Sequence, residues 1–141
     1  MTDVPNKNIL ASFLMCTNLY DHKFKAAVNS CLLQSIKDIE LIIVVNGVNK
    51  DEKIKISNFC KDQRIVLLFS SAKYLSYNLN LGLQACRSNF IARIDADDIT
   101  HPMRIEKQIE YLNNNIDVAV CGSSYRLIDE NNQIIKSVIL P

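Results

Sequence analysis

Phe90-Ile91-Ala92-Arg93-Ile94-Asp95-Ala96-Asp97-Asp98 carries an apolar strand straight into three carboxylates, and it is where the chain commits itself to chemistry. Carboxylates crowded at a strand end repel one another unless something positive sits between them. A hard divalent cation with a phosphate-bearing ligand resolves that repulsion. Mg²⁺ or Mn²⁺ takes one or two protein oxygens and completes its shell with water and phosphate oxygens. Alternate residues of an extended segment share a face, so the D-x-D spacing lets Asp95 and Asp97 approach one side of a ligand. Carboxylates also serve turns and helix N-caps, and the triplet alone leaves both readings open.

Working outward, apolar runs alternate with helical patterns. Ile9 to Met15 reads as a strand, and Phe24, Ala27, Val28, Cys31, Leu32 and Ser35 are spaced as one face of a helix. Leu41 to Val45 is a short β-rich run of the kind buried on both faces of a parallel sheet, broken by Asn46-Gly47. Asp51 to Lys61 predicts a weaker helix, Ile65 to Phe69 a third strand, and Ser76 to Arg87 a helix with the stripe Leu79, Leu83 and Cys86. Phe90 to Ile94 is the fourth strand. After the acidic cluster, Thr100-His101-Pro102 reads as a helix start with proline in the first turn, the helix burying Ile105, Ile109 and Leu112. Val118 to Cys121 is expected as a fifth strand. Tyr125 to Ile128, a turn at Asp129-Glu130-Asn131-Asn132, and Ile134 to Leu140 predict a C-terminal β-hairpin.

The fold class that follows is α/β: a doubly wound, mostly parallel, Rossmann-like sheet. Ligands of such sheets bind beyond the carboxyl ends of the strands. That rule puts Thr17-Asn18, Asn46-Gly47, Ser70-Ser71 and the acidic run on one rim.

Composition narrows the alternatives. The 141 residues fit a single domain spanning 1–141, and a formal net charge of +1 supplies no basic face for nucleic acid. Five cysteines without a short-spaced pair suit neither a zinc site nor a disulfide framework, and read as small core residues. Three glycines leave room for no Walker or G-x-G-x-x-G loop, which counts against P-loop enzymes and dehydrogenases. No stretch approaches the roughly 20 apolar residues of a transmembrane helix. His101, just before a proline, reads as a turn or capping residue rather than an ion ligand, and Asp129 and Glu130 read as a hairpin turn.

The acidic segment, followed by His101-Pro102, Arg104 and Glu106-Lys107-Gln108, resembles the family 2 inverting glycosyltransferases of bacteria. Asn18, Ser30, Gln34, Glu40-Leu41-Ile42-Ile43-Val44, Asn80-x-Gly82, Val120-x-Gly122 and Asp129-Glu130-Asn131 extend the likeness over nearly the whole chain. The resemblance implies a GT-A fold, a nucleotide-diphospho-sugar donor, usually UDP-linked, and Mg²⁺ or Mn²⁺ at the D-x-D motif. By position, Asp97 would be the metal ligand and Asp95 a contact to the ion or the donor ribose. Arg104 reads either as a structural pair or as a diphosphate contact.

Three nucleotide-side loops depart from the family. Pro-x-Tyr-Asn is replaced by Met15-Cys16-Thr17-Asn18, Asp-Asp-Gly-Ser by Val45-Asn46-Gly47-Val48, and Asn-x-Gly-Leu by Ala72-Lys73-Tyr74-Leu75. Val45 cannot make the hydrogen bond to the base that the family's aspartate makes. Either the pocket reads its donor through Thr17, Asn18, Asn46 and backbone amides, with Tyr74 as a stacking face, or it has decayed and binds poorly.

An inverting transfer needs a general base, which in the resembled family is a carboxylate beyond a length like this one. The chain is therefore expected to be the truncated, nucleotide-binding half of a glycosyltransferase, without the acceptor half, and weakly active or inactive by itself. Its partners would be a nucleotide-sugar and a glycan or lipid-linked acceptor, at the cytoplasmic side of a membrane, with self-association through an open sheet edge. The alternative is a non-catalytic module that keeps the fold and binds a nucleotide-sugar or a partner.

Overall fold

The computed structural model describes residues 8–140. Its elements are β1 (Ala11–Thr17), α1 (His22–Leu32), β2 (Ile39–Asn46), α2 (Lys50–Phe59), β3 (Ile65–Ser70), α3 (Leu75–Ala85), β4 (Ile91–Arg93), α4 (Arg104–Asn114), β5 (Tyr125–Ile128) and β6 (Ile134–Val138). The chain divides into two compact units, one ending at Lys107 and the other beginning at Gln108.

In the first unit a parallel four-stranded sheet runs in the order β3-β2-β1-β4. Ile39 through Val45 are all buried, as a strand covered on both faces requires, and β1 is buried along nearly its whole length. The chain adds β2 and β3 on one side of β1 and then returns to place β4 on the other. The strand order therefore reverses at β1, and the carboxyl ends of β1 and β4 form the crevice where such sheets bind ligands.

Helix α1 buries Phe24, Ala27, Val28 and Cys31, as the sequence spacing predicts, with Asp21 capping its first turn by accepting from Phe24 N at 2.8 Å. Helix α2 starts on a capping box between Asn49 and Glu52. Helix α3 departs from its expected stripe. Its buried positions are Asn78 and Gly82, whereas Leu83 is half exposed. A Cβ on Gly82 would run into Leu14 Cδ1 and come within 2.9 Å of Val44 Cγ2, so α3 approaches β1 and β2 through a residue with no side chain.

At the amino end of the sheet, Glu40 is fully buried and fully bonded. Ser12 Oγ (2.6 Å) and Arg87 N (2.7 Å) donate to Oε1, and Arg87 Nε and Nη2 (both 2.7 Å) donate to Oε2. The node joins β1, β2 and the α3–β4 connection.

Pro102 lies in a turn ahead of α4 rather than within its first turn: Arg104 N donates to His101 O at 3.0 Å, and the helix proper begins at Arg104. Ile105 is buried, and Ile109 and Leu112 are half-buried.

In the second unit the fifth strand expected at Val118 to Cys121 is not formed. A strand exists only with a ladder partner, none among the described residues pairs with this segment, and Val120 is 84% exposed. The hairpin is formed, with β6 ending at Val138 and a bulge between Leu127 and Ile128. Asp129 Oδ1 accepts from Asn131 N and Gln133 N, both at 2.8 Å, and Asn132 takes a left-handed φ of 61°, so these residues make the turn as predicted.

Candidate functional site

The carboxyl ends of β1, β2 and β4 open onto a cleft of about 420 Å³. After β1, the Thr17 hydroxyl donates to Leu19 O at 2.9 Å and accepts from Leu19 N at 3.2 Å. This closes a tight turn that presents Asn18. After β2, Asn46 lines the cleft and Gly47 turns the chain with φ 68°, a conformation that costs glycine nothing. After β3, Ser70 Oγ accepts from Ala72 N at 3.1 Å, while Asn78 Nδ2 donates to Ala72 O and Tyr74 O at 2.8 and 3.1 Å. That brace brings Lys73 to the cleft wall.

Thr17, Asn18, Asn46, Asp95 and Asp97, the residues predicted from sequence, all line this one cleft. Tyr74 does not. It occupies the N-cap position of α3 with 77% of its surface exposed, between the lining residues Lys73 and Leu75. Lys23, Lys73 and Asp21 were missed. Their only sequence signal was adjacency to loops already placed on the rim, because side-chain direction in a loop follows from local hydrogen bonds rather than from a period.

Within the acidic loop the three carboxylates differ. Arg93 Nη2 donates to Asp95 Oδ1 at 2.8 Å in a half-exposed ion pair. Among the described residues no hydrogen bond or ion pair engages the Asp97 carboxylate. The Asp98 carboxyl is raised above its ordinary value, first by burial and then by the charges of Asp97 and Asp95, with Arg104 and Arg93 pulling the other way. The loop is thus an electrostatically loaded concentration of negative charge.

No group of three His, Cys, Asp or Glu side chains is arranged for a metal among the described residues. A Mg²⁺ or Mn²⁺ site of the open kind needs only one or two carboxylates, the remaining oxygens coming from water and phosphate. Asp97, with no partner among the described residues, and Asp95, with one oxygen on Arg93, fit that donor set. His101 does not join them. Its Nδ1 accepts from Met103 N at 3.2 Å, which makes it a turn residue.

Of the thiols expected in the core, only Cys31 is buried; Cys16, Cys60, Cys86 and Cys121 are half-buried, and Cys16 lines the cleft. Burial pushes Cys31 up to about 12 and Cys60 up to about 11, and raises Cys16 and Cys86 as well. All five cysteines are free. No helix among the described residues is long and apolar enough to cross a membrane.

Residues 12–139 match the family described as Glycosyl transferase family 2. The O-antigen biosynthesis glycosyltransferase WbnJ of Escherichia coli is 34% identical over 134 residues, covering 94% of this chain and 52% of WbnJ. An uncharacterized glycosyltransferase of Methanocaldococcus jannaschii is 35% identical, covering 90% of this chain and 45% of its own length. The chain thus spans about half the length of the curated relatives it matches. Among solved structures, S. aureus TarS 1–349 in complex with UDP superposes with a TM-score of 0.65 at 12% identity, over 88% of this chain and 43% of TarS. At that identity the likeness speaks for the fold, a GT-A type α/β sheet. A sheet reversing at β1, a carboxylate loop at the reversal and a family match over almost every residue lead to one assignment: the chain belongs to glycosyl transferase family 2.

Proposed function

We propose that this chain forms the donor half of a glycosyltransferase. It would bind a nucleotide-diphospho-sugar, UDP-linked in the first instance, for transfer to a surface glycan or lipid-linked acceptor at the cytoplasmic face of a membrane. The observation that carries the reading is the shared cleft, in which Asn18 and Asn46 from β1 and β2 face the same space as Asp95 and Asp97 beyond β4. The asparagine side would take the nucleoside and the acidic side the diphosphate. Val45 is fully buried and apolar, so Asn46, with both a donor and an acceptor, is the polar group offered to the base. Lys23 and Lys73 add positive charge for phosphate oxygens. Asp97 and Asp95 would hold Mg²⁺ or Mn²⁺, which when bound neutralises charge building on the departing diphosphate. The naming of WbnJ for O-antigen biosynthesis supports a surface polysaccharide as product.

The Arg93–Asp95 ion pair favours a second reading, a module that binds a nucleotide-sugar without transfer, because Arg93 already satisfies one carboxylate without a metal. Calorimetric titration of UDP-GlcNAc and GDP-mannose with Mn²⁺ and with EDTA separates the two. The donor-site reading expects Mn²⁺-dependent binding that Asp97→Asn weakens at least about tenfold, or about 1.4 kcal/mol. Equal affinity in Mn²⁺ and EDTA would remove the ion from the site and leave the binding module.

A further inference from the structure

We propose that Gln34, assisted by Ser30, is a positioning residue for the acidic loop, holding the segment that leaves it so that Asp95 and Asp97 stay on the cleft wall. The inference rests on the donor-site reading for its functional consequence and on the geometry alone for the loop-holding role.

Gln34 is completely buried, just past the last turn of α1. Its Nε2 donates to Ser30 O at 3.2 Å and to His101 O at 3.0 Å, and its Oε1 accepts from Ile105 N at 3.2 Å. Ser30 Oγ donates to Ala27 O at 2.8 Å and accepts from Thr100 N at 3.1 Å. Ser35 N donates to Pro102 O at 2.8 Å. Backbone groups of Thr100, His101, Pro102 and Ile105 therefore all end on the last turn of α1 or just beyond it.

Among the described residues, the partners of Thr100 N, Pro102 O and Ile105 N are all on this α1 segment, while His101 O accepts from Arg104 N as well as from Gln34. Strand β4 ends at Arg93, α4 begins at Arg104, and no strand ladder or helix runs between them. The loop is fastened at its entrance by Ile94 N to Leu14 O at 3.1 Å and by Arg104 Nη2 to Arg93 O at 3.2 Å. Its exit is fastened by Ser30, Gln34 and Ser35. A buried backbone group without a partner is costly, and an amide that both donates and accepts suits a segment presenting one carbonyl and one N–H.

The same helix reaches the other wall. Asp21, Lys23 and Phe24 at its start line the cleft, and the rise from there to Ser30 is roughly 10–14 Å. One rigid element thus carries part of the nucleoside wall and grips the exit of the carboxylate wall. Groups that orient metal-binding side chains from behind set affinity without touching the ion.

The test uses the full chain with Gln34→Met, which keeps the volume and removes the amide, and Ser30→Ala, which removes the Thr100 contact together with the bond to Ala27 O inside α1. Hydrogen exchange is followed by mass spectrometry, and UDP binding is titrated with Mn²⁺ and with EDTA. Both variants are expected to lose protection at residues 98–105 while β1 and β2 keep theirs. Gln34→Met is expected to weaken the Mn²⁺-dependent part of UDP binding about 10- to 100-fold and to leave binding in EDTA unchanged. Unchanged exchange at 98–105 in both variants would overturn the proposal. So would an affinity loss equal in Mn²⁺ and EDTA, the mark of a merely structural residue. Should Gln34→Met fail to fold, Ser30→Ala decides by the same two readouts. A wild-type chain without Mn²⁺ dependence would overturn the donor-ion reading, and the exchange result would then uphold or overturn the loop-holding role by itself.

Discussion

At Glu40, burial alone would raise the carboxyl, yet hydrogen bonds from Ser12 and Arg87, with the Arg87 charge, outweigh it and leave the group below its ordinary value of 4.5. A carboxyl lowered in the folded state contributes stability that is fully present above its unfolded value. That stability is lost as pH falls through the folded value. Thermal melts of the wild-type chain should therefore decline below about pH 4.5 more steeply than those of Glu40→Gln, with the curves converging in acid. At pH 7 the variant is expected to be less stable by about 1–3 kcal/mol, because an amide cannot accept everything Ser12 and Arg87 donate. The resemblance marked Glu40 as part of a matched run, but nothing in sequence pattern shows that a charged residue inside an apolar strand has a partner 47 positions away. The carboxylates of the acidic loop stood out in the sequence because three together at a strand end repel one another, although turns and N-caps use such triplets too. Their inequality did not stand out, even though Arg93 and Asp95 sit two apart, the spacing that puts side chains on one face of an extended segment.

Among the elements, the tight approach of α3 to the sheet gives Gly82 its sharpest consequence. Gly82→Val is expected to cost about 1–3 kcal/mol through overpacking against Leu14 and Val44, seen as a lower urea midpoint at unchanged m-value. An unaltered midpoint would mean that α3 can lift from β1 and β2 freely. Strands and helices of the first unit were readable because their apolar periods are long and interrupted by polar turns. The helix stripe Leu79, Leu83 and Cys86 misled for a physical reason: periodicity weighs side-chain size, and α3 packs by the absence of one. Val118 to Cys121 misled for another. Its composition suits a strand, but pairing is a property of two segments, and among the described residues this one has no second.

For the molecule as a whole, the two units differ in how much they bury. Nearly every residue of β5 and β6 is exposed, including Tyr125, Leu127, Ile134 and Ile135, whereas β1 and β2 form a dry centre. A two-stranded hairpin with little burial opens readily. Amides of Tyr125 to Val138 should exchange within the first time points of a hydrogen-exchange experiment, and limited proteolysis should cut after Asn114 before it cuts the sheet. Slow exchange throughout the hairpin would contradict this. The α/β alternation was legible through the first unit, as was the rim of loops, since both follow from spacing alone. The order β3-β2-β1-β4 was not, because choosing which edge of β1 receives the fourth strand takes tertiary packing.

That order also sets a timetable. Strand β1 is made before the other strands of its sheet and pairs with β2 after one short crossover, but its other edge waits from Ser12 until Ile91 has been made. Contacts so far apart in sequence are slow to close. The half-sheet of β1, β2 and β3 can assemble during synthesis, whereas the acidic loop joins only after β4 docks, so the carboxylate wall of the cleft forms later than the walls built from β1 and β2.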